Sequence, residues 1–437
     1  MSSAAAGTPL AHPVELLVVN AGRLVTARTA PGGARGHALD DLETIPGGAV
    51  AVADGRVADV GPTETLRPRY REAAIVDAEG RLVTPGFVDS HVHLAHGGSR
   101  HEEYDRRIRG VPPPEGAATG IPATIAHTAA TPDEELRQRA LADLDVMLAH
   151  GTTTSEAKTG YGGDADGELR LLRLSAGLTH PITLVPTFLG AHALPPERAD
   201  DRDAFVDAVI GAFPAAREHA RFFDVFIDPL GFTREESHRL LTAAVAAGFD
   251  LKVHADQTAD VGGTALAVEH GATSVDHLDH ADADAIAALV AADTVGVLLP
   301  GVAHHLGELT PDPTGHVTKP HLPEQVRRLV TAGARLALST DYNPGTSPTR
   351  SMQTVLELAV RLFRLSAAAA WHMATINGAH ALGVADERGS LEPGKAADLV
   401  VWDAEHPAAV TNRFGTNLVA EVLKDGRRVV TGGRVMR

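Results

Sequence analysis

Leu82-Val83-Thr84-Pro85-Gly86-Phe87-Val88-Asp89-Ser90-His91-Val92-His93 carries an apolar run straight into two histidines. In an extended chain the side chains at i and i+2 project to the same face. A strand over Leu82–Val88 would therefore present His91 and His93 together at its end, where both can reach one metal ion. An isolated His-x-His is weak evidence, because surface or core histidines satisfy it equally well. The rest of the chain decides its meaning.

Seven more apolar runs come after it, at Thr152–Ala157, Ile182–Phe188, Phe222–Ile227, Leu251–His254, Thr273–Val275, Thr294–Leu299 and Leu336–Thr340. Helical periods separate them, for example Asp133–His150, Arg234–Ala247, Asp282–Ala292 and Pro323–Ala332. Eight β/α units of this length predict a closed parallel (β/α)8 barrel of the TIM type over residues 82–387, with a doubly wound open sheet as the competing architecture. Outside it the text changes. Short β-like runs and turns fill residues 14–81 (Leu16–Val19, Ala49–Val52, Asp54-Gly55, Val57–Val60, Ile75–Asp77) and recur near the C-terminus (Ala397–Trp402, Val422–Leu423, Asp425-Gly426, Val429–Val430). We expect residues 1–81 and 388–437 to form one composite β-sandwich domain. The segment from Gly110 to Thr131, rich in Pro, Gly, Ala and Thr, reads as a loop or lid at the mouth.

In a barrel of this kind the active site occupies the C-terminal ends of the strands. Three further ends carry polar groups there: His254-Ala255-Asp256-Gln257 after strand five, Asp276-His277 on strand six, and Thr340-Asp341-Tyr342-Asn343-Pro344-Gly345 after strand eight. His91, His93, His254 and Asp341 make a set of three imidazoles and one carboxylate, which suits Zn2+ and also accommodates iron. A second bridged metal would call for a lysine on strand four; Phe222–Asp228 has none, so one metal per chain is expected. Lys158, just past strand two, reads as structural or substrate-facing. A metal there lowers the pKa of water, Asp341 can take the released proton and pass it to a leaving nitrogen, and His277 can polarise a carbonyl or stabilise an oxyanion. The bland alternative for His277 is a ring bonded to a backbone carbonyl.

Composition narrows the partners. The 437 residues carry a net charge of −17 and 44% hydrophobic residues, enough for a large core and opposed to a nucleic-acid footprint. There is no cysteine, so disulfides, thiolate ligands and a cysteine nucleophile are excluded. Met1 to Pro13 lacks the pattern of a signal peptide, and no apolar run reaches the ~18 residues of a membrane span. We expect a cytoplasmic protein with no membrane or nucleic-acid partner; a homodimer is left open.

At these residues the chain resembles the amidohydrolase superfamily and, more closely, its imidazolonepropionase family. The likeness covers nearly the whole chain and includes Leu82-Val83-Thr84-Pro85-Gly86, Gly97-Gly98-Ser99-Arg100, Gly151-Thr152-Thr153-Thr154, Lys158-Thr159-Gly160-Tyr161-Gly162, Gly190-Ala191-His192-Ala193, Leu298-Leu299-Pro300-Gly301 and Thr340–Gly345. The resemblance implies hydrolysis of a cyclic amide C–N bond, opening 4-imidazolone-5-propanoate to N-formimidoyl-L-glutamate in histidine degradation. It implies a small cyclic substrate bearing a carboxylate, contacted by Arg100, Tyr161, His192, Asn343, Gly345 and Thr346. Arg100 could grip a propanoate with its planar guanidinium.

The chain also departs from that pattern. Gln257 stands where the family reads Glu after His-Ala-Asp; it can give and take hydrogen bonds in the site but cannot act as an acid or a base. The lid reads Ala117-Ala118-Thr119-Gly120-Ile121-Pro122, and His304-His305 replaces a common aromatic pair. Two other readings therefore stand beside the first. One is a related hydrolase or deaminase acting on another small cyclic amide, amidine or azole; restoring Glu at position 257 would then raise turnover of the imidazolone. The other is a non-catalytic metal-binding scaffold.

Overall fold

The computed structural model describes residues 13–436 apart from Pro313, so residues 1–12 at the N-terminus lie outside it. Eight parallel strands run in sequence order: β1 (Phe87–Asp89), β2 (Thr152–Lys158), β3 (Thr183–Ala191), β4 (Phe222–Ile227), β5 (Asp250–Ala255), β6 (Ser274–His277), β7 (Val295–Leu298) and β8 (Arg335–Leu338). Each is buried along most of its length, as a sheet covered by helices requires. The helices fall where their periods placed them, at Asp133–Ala149, Arg234–Ala246, Ala283–Ala291 and Leu322–Thr331. Two of them open on side-chain caps, with Thr233 and Glu236 forming a capping box and Asp282 accepting from Ala285 N.

β8 meets β1 mainly through side chains. Asp89 accepts hydrogen bonds from Thr340 N at 3.0 Å, Thr340 Oγ1 at 2.7 Å and Ser339 Oγ, and His93 N donates to Tyr342 O at 2.9 Å. A parallel bridge between Val92 and Tyr342 continues the seam. The two strand ends that carry the expected metal ligands are thus stitched to each other.

The strand expected over Leu82–Val88 is two strands. Leu82–Pro85 leaves the barrel and pairs antiparallel with Leu399–Trp402, in a nine-stranded sheet built from both chain ends. Gly86 marks the break, because a Cβ there would lie 2.2 Å from Thr153 Oγ1. We propose the division between the two bodies at this glycine. Across it Phe87 lies against Trp371 and Trp402, with ring centroids 5.1 and 5.4 Å away, and Trp402 Nε1 donates to Thr84 Oγ1 at 2.9 Å.

The lid segment contains a helix, Gly120–Ala130, which the sequence reading missed. Its N-terminal residues Gly120, Ile121 and Pro122 face the barrel mouth. Gly120 N donates to Glu103 Oε2 at 3.0 Å, which ties the segment to a preceding helix, His101–Ile108. No described helix is long and apolar enough to cross a membrane.

Candidate metal centre and active site

His91, His93, His254, His277 and Asp341 converge at the C-terminal ends of β1, β5, β6 and β8, all at most 4% exposed. His277 and Asp341 have positive φ, 79° and 48°. Backbone in this region is uncommon outside glycine and gathers where a fold holds a side chain in a set direction. Asp341 Oδ1 lies 3.3 Å from His91 Nε2 and 3.5 Å from His93 Nε2. The ligand atoms of His91, His93 and Asp341 lie within 4.8 Å of one another, and so do those of His91, His254 and His277.

The other ring nitrogens are already engaged. His91 Nδ1 meets Asp276 Oδ2 at 2.6 Å, His254 Nδ1 meets Asp224 Oδ1 at 3.1 Å, and His93 Nδ1 meets Thr159 O at 3.2 Å. Carboxylates and a carbonyl at Nδ1 fix the tautomer and turn Nε2 toward the centre, the usual arrangement behind metal-binding histidines. Among the described residues His91 Nε2 and His254 Nε2 are buried with no hydrogen-bond partner. Buried polar atoms seldom stand alone, so the donor set fits a cation.

Beneath the histidines lies a network that the sequence reading did not assemble. Lys158 Nζ binds Asp224 Oδ2 at 2.6 Å and Asp276 Oδ2 and Glu156 Oε2 at 3.3 Å. Lys252 Nζ bonds Ser274 Oγ at 2.9 Å and Ser90 O at 3.1 Å, with Glu156 at 3.8 Å. All five ionisable side chains are 0% exposed. Lys158 is therefore structural. Burial would discharge it, yet the three carboxylates hold its amine well above the ordinary lysine value. For Asp224 burial pulls upward, but His254 and Lys158 reverse it and hold the carboxylate well below its usual range. The signal in the sequence was a charge inside each of several apolar strands, as in Phe222-Phe223-Asp224-Val225.

Burial drives the imidazoles of His91, His93 and His277 well below their ordinary value, each with help from neighbouring positive charge, and His192 to about 3. Neutral imidazole is the ligand form. Burial also lifts Asp341 well above the carboxylate range, against a hydrogen bond from Asn343.

A cavity of about 400 Å³ opens over this centre. Arg100, Tyr161, His192, Gln257, His277, Asn343 and Thr346 all stand in its wall. Tyr161 is presented by a tight turn in which Glu168 accepts from Gly160 N at 2.6 Å and Gly162 N at 2.5 Å, and His192 follows β3; the Glu168 carboxylate was not among the expected residues. His192 Nδ1 donates to Gly160 O at 2.8 Å, leaving Nε2 for a ligand. Arg100 is held by Glu103 through Nε at 3.1 Å and Nη2 at 2.5 Å, which leaves three of its five N–H donors.

Gly345 lies against Arg100, where a Cβ would come within 1.7 Å of Nη1, so its place is to make room for the guanidinium. Asn343 organises the same loop, accepting from Gly345 N at 2.9 Å and Thr346 N at 2.8 Å while its Nδ2 donates to Asp341 O at 2.7 Å.

Comparison with known proteins agrees with this geometry. The model of the amidohydrolase family matches residues 82–429, and that of the bacterial imidazolonepropionase-like composite domain matches residues 48–73. An imidazolonepropionase of Symbiobacterium thermophilum is 42% identical over 98% of this chain and 100% of its own length. One of Bacillus velezensis is 37% identical over 96% and 97%. Among solved structures, a putative prolidase from Bifidobacterium longum superposes with a TM-score of 0.69 at 19% identity, covering 97% of each chain, a likeness of fold alone. By its sequence, its barrel and its relatives the chain belongs to the amidohydrolase family and, within it, to the imidazolonepropionases.

Proposed function

We propose that the chain opens 4-imidazolone-5-propanoate by hydrolysis of a ring C–N bond, giving N-formimidoyl-L-glutamate, with His91, His93, His254 and Asp341 as the ligands of one zinc or iron ion. One observation carries the residue assignment. Two buried histidines with Nδ1 fixed by carboxylates turn partnerless Nε2 atoms into the same centre as Asp341. A second metal has no place between Asp224 and Asp276, because the Lys158 ammonium bonds both.

A metal held there supplies Lewis acidity toward water and the ring carbonyl. Asp341 accepts the proton of the attacking water and returns it to the ring nitrogen as the C–N bond breaks. His277 faces the carbonyl oxygen and stabilises the charge that develops on it. Arg100 holds the propanoate, and His192 and Tyr161 orient the ring through the turn that Glu168 fixes. Gln257, which cannot ionise, contributes hydrogen bonds only.

The test is the ultraviolet loss of freshly generated imidazolone-5-propanoate with zinc-loaded protein and an Asp341→Asn control. We expect rapid loss with the unaltered chain and a fall of about a thousandfold or more in the variant, the range of a removed acid–base group. Absence of turnover in the unaltered chain with one metal bound would overturn the substrate and leave the hydrolase centre. Full turnover by Asp341→Asn would overturn the role of Asp341.

A further inference from the structure

Glu308 has no part in the chemistry proposed for the metal centre. It lies just past the short helix Pro300–His305 beyond β7, is 7% exposed, and stands in the cavity wall with His277 and Gln257. Its Oε1 accepts from Lys319 Nζ at 2.9 Å. Its Oε2 is buried and has no hydrogen-bond partner among the described residues. The side chain is braced from behind: Lys319 Nζ also binds Asp279 Oδ2 at 2.6 Å, Lys319 N donates to Glu308 O at 2.8 Å, and Glu308 N donates to Ala303 O at 2.9 Å. Asp279 lies two residues beyond His277, so this brace spans the loops after β6 and β7.

Leaving a buried acceptor without a donor costs about 1–3 kcal/mol, and more for a charged group. Folded proteins keep such an atom where a ligand, an ion or a water completes it. A cation does not suit the place, because Lys319 already supplies the positive charge at the same carboxylate. A neutral N–H donor arriving in the cavity does suit it. Gln257 in the cavity wall carries no charge, and Glu308 provides a carboxylate from a neighbouring loop.

We infer that Glu308 is a specificity-determining residue whose unpartnered carboxylate oxygen accepts an N–H of the substrate's nitrogen ring, the anionic contact that Gln257 cannot make. The inference rests on the proposed ring-hydrolase function. It makes this chain select rings with a free N–H at one position over rings alkylated there or carrying oxygen.

The probe is imidazole-4-propanoate, a stable ring with the same side chain, together with its two N-methyl isomers. Binding of each to the metal-loaded chain is measured by calorimetry for the unaltered protein, Glu308→Ala and Glu308→Gln. The unaltered chain should bind the unmethylated ring at least about tenfold more tightly than one of the isomers, the lower range for a hydrogen bond to a charged group. Glu308→Ala should bring that ratio near one. Glu308→Gln, which keeps an acceptor without charge, should leave a reduced ratio, with metal content unchanged. Should Glu308→Ala fail to fold, the drop in Glu308→Gln decides. An undiminished ratio in the variants, or no preference in the unaltered chain, overturns the inference while hydrolysis of imidazolone-5-propanoate still stands. A chain that neither binds these rings nor hydrolyses the imidazolone overturns the ring reading, and the inference with it.

Discussion

The sheet of the chain ends and the mouth of the barrel are both made of buried strands, and they fill their interiors in opposite ways. Between its strands the end sheet packs Val18, Leu24, Val50, Val83, Leu399, Val401 and Leu423, apolar groups that need no partners. Below the mouth the barrel packs Glu156, Lys158, Asp224, Lys252 and Asp276, all fully buried. Burying an ion is costly unless every charge is paired and bonded. The barrel meets that cost in one layer, directly under the histidines, where Asp224 and Asp276 aim two rings at the centre. The lesson is a division of labour: the sheet contributes stability through apolar area, and the barrel mouth spends stability on direction.

The sharpest way to break this comparison is Lys158→Met. It leaves three carboxylates without their shared cation, and removing one partner from a buried set costs about 3–5 kcal/mol. Urea unfolding of the metal-free variant should show a loss of that size, and the altered setting of His91 and His254 should weaken metal binding as well. Unchanged stability would mean that the network is not charged as described. Leu399→Ala is the counterpart in the sheet. It should cost about 2–5 kcal/mol through lost burial and a cavity, while KM and metal content stay as they were. A changed KM would show that the sheet reaches the site.

Arg100→Lys probes the mouth without touching the network. The guanidinium fork is lost and the charge kept, so KM for the propanoate substrate should rise by roughly ten- to a hundredfold with a smaller change in kcat. Gly345→Ala should act in the same direction, since the new methyl would displace Arg100. An unaltered KM in both would remove Arg100 from the substrate site.

These contrasts also explain what could be read from the sequence. Strand and helix placement was legible because apolar periods mark burial, and the positions of His91, His93, His254 and Asp341 were legible because a barrel puts its strand ends in one place. The split of the first strand was not, although Pro85-Gly86 interrupts Leu82–Val88, because only the pairing shows that the two halves serve different sheets. The helix Gly120–Ala130 was hidden by Gly120, Pro122 and two threonines, residues of low helix propensity. The ion network was hidden for a different reason. Its members lie on β2, β4, β5 and β6, and only closure of the barrel shows that Lys158 and Asp224, 66 residues apart, share a bond.

The weakest expected effect sharpens the comparison through pH. His96, 6% exposed, packs against Tyr342 and Tyr161 beside the cavity, and burial lowers its pKa to about 4, with Asp143 pulling the other way. In the unfolded chain the same ring titrates near the ordinary 6.5. Between these two values the unfolded state binds a proton that the folded state refuses, so stability rises with pH across the window. The contribution is complete above about pH 6.5 and is lost as pH falls toward 4, at about 1.4 kcal/mol per pH unit for one histidine. His96→Phe should remove that share. Urea midpoints of the metal-free proteins at pH 7.5, 6 and 5 should converge as pH falls, the variant losing less. Parallel pH profiles would place the proton uptake in the deeper histidines of the centre and leave His96 as packing.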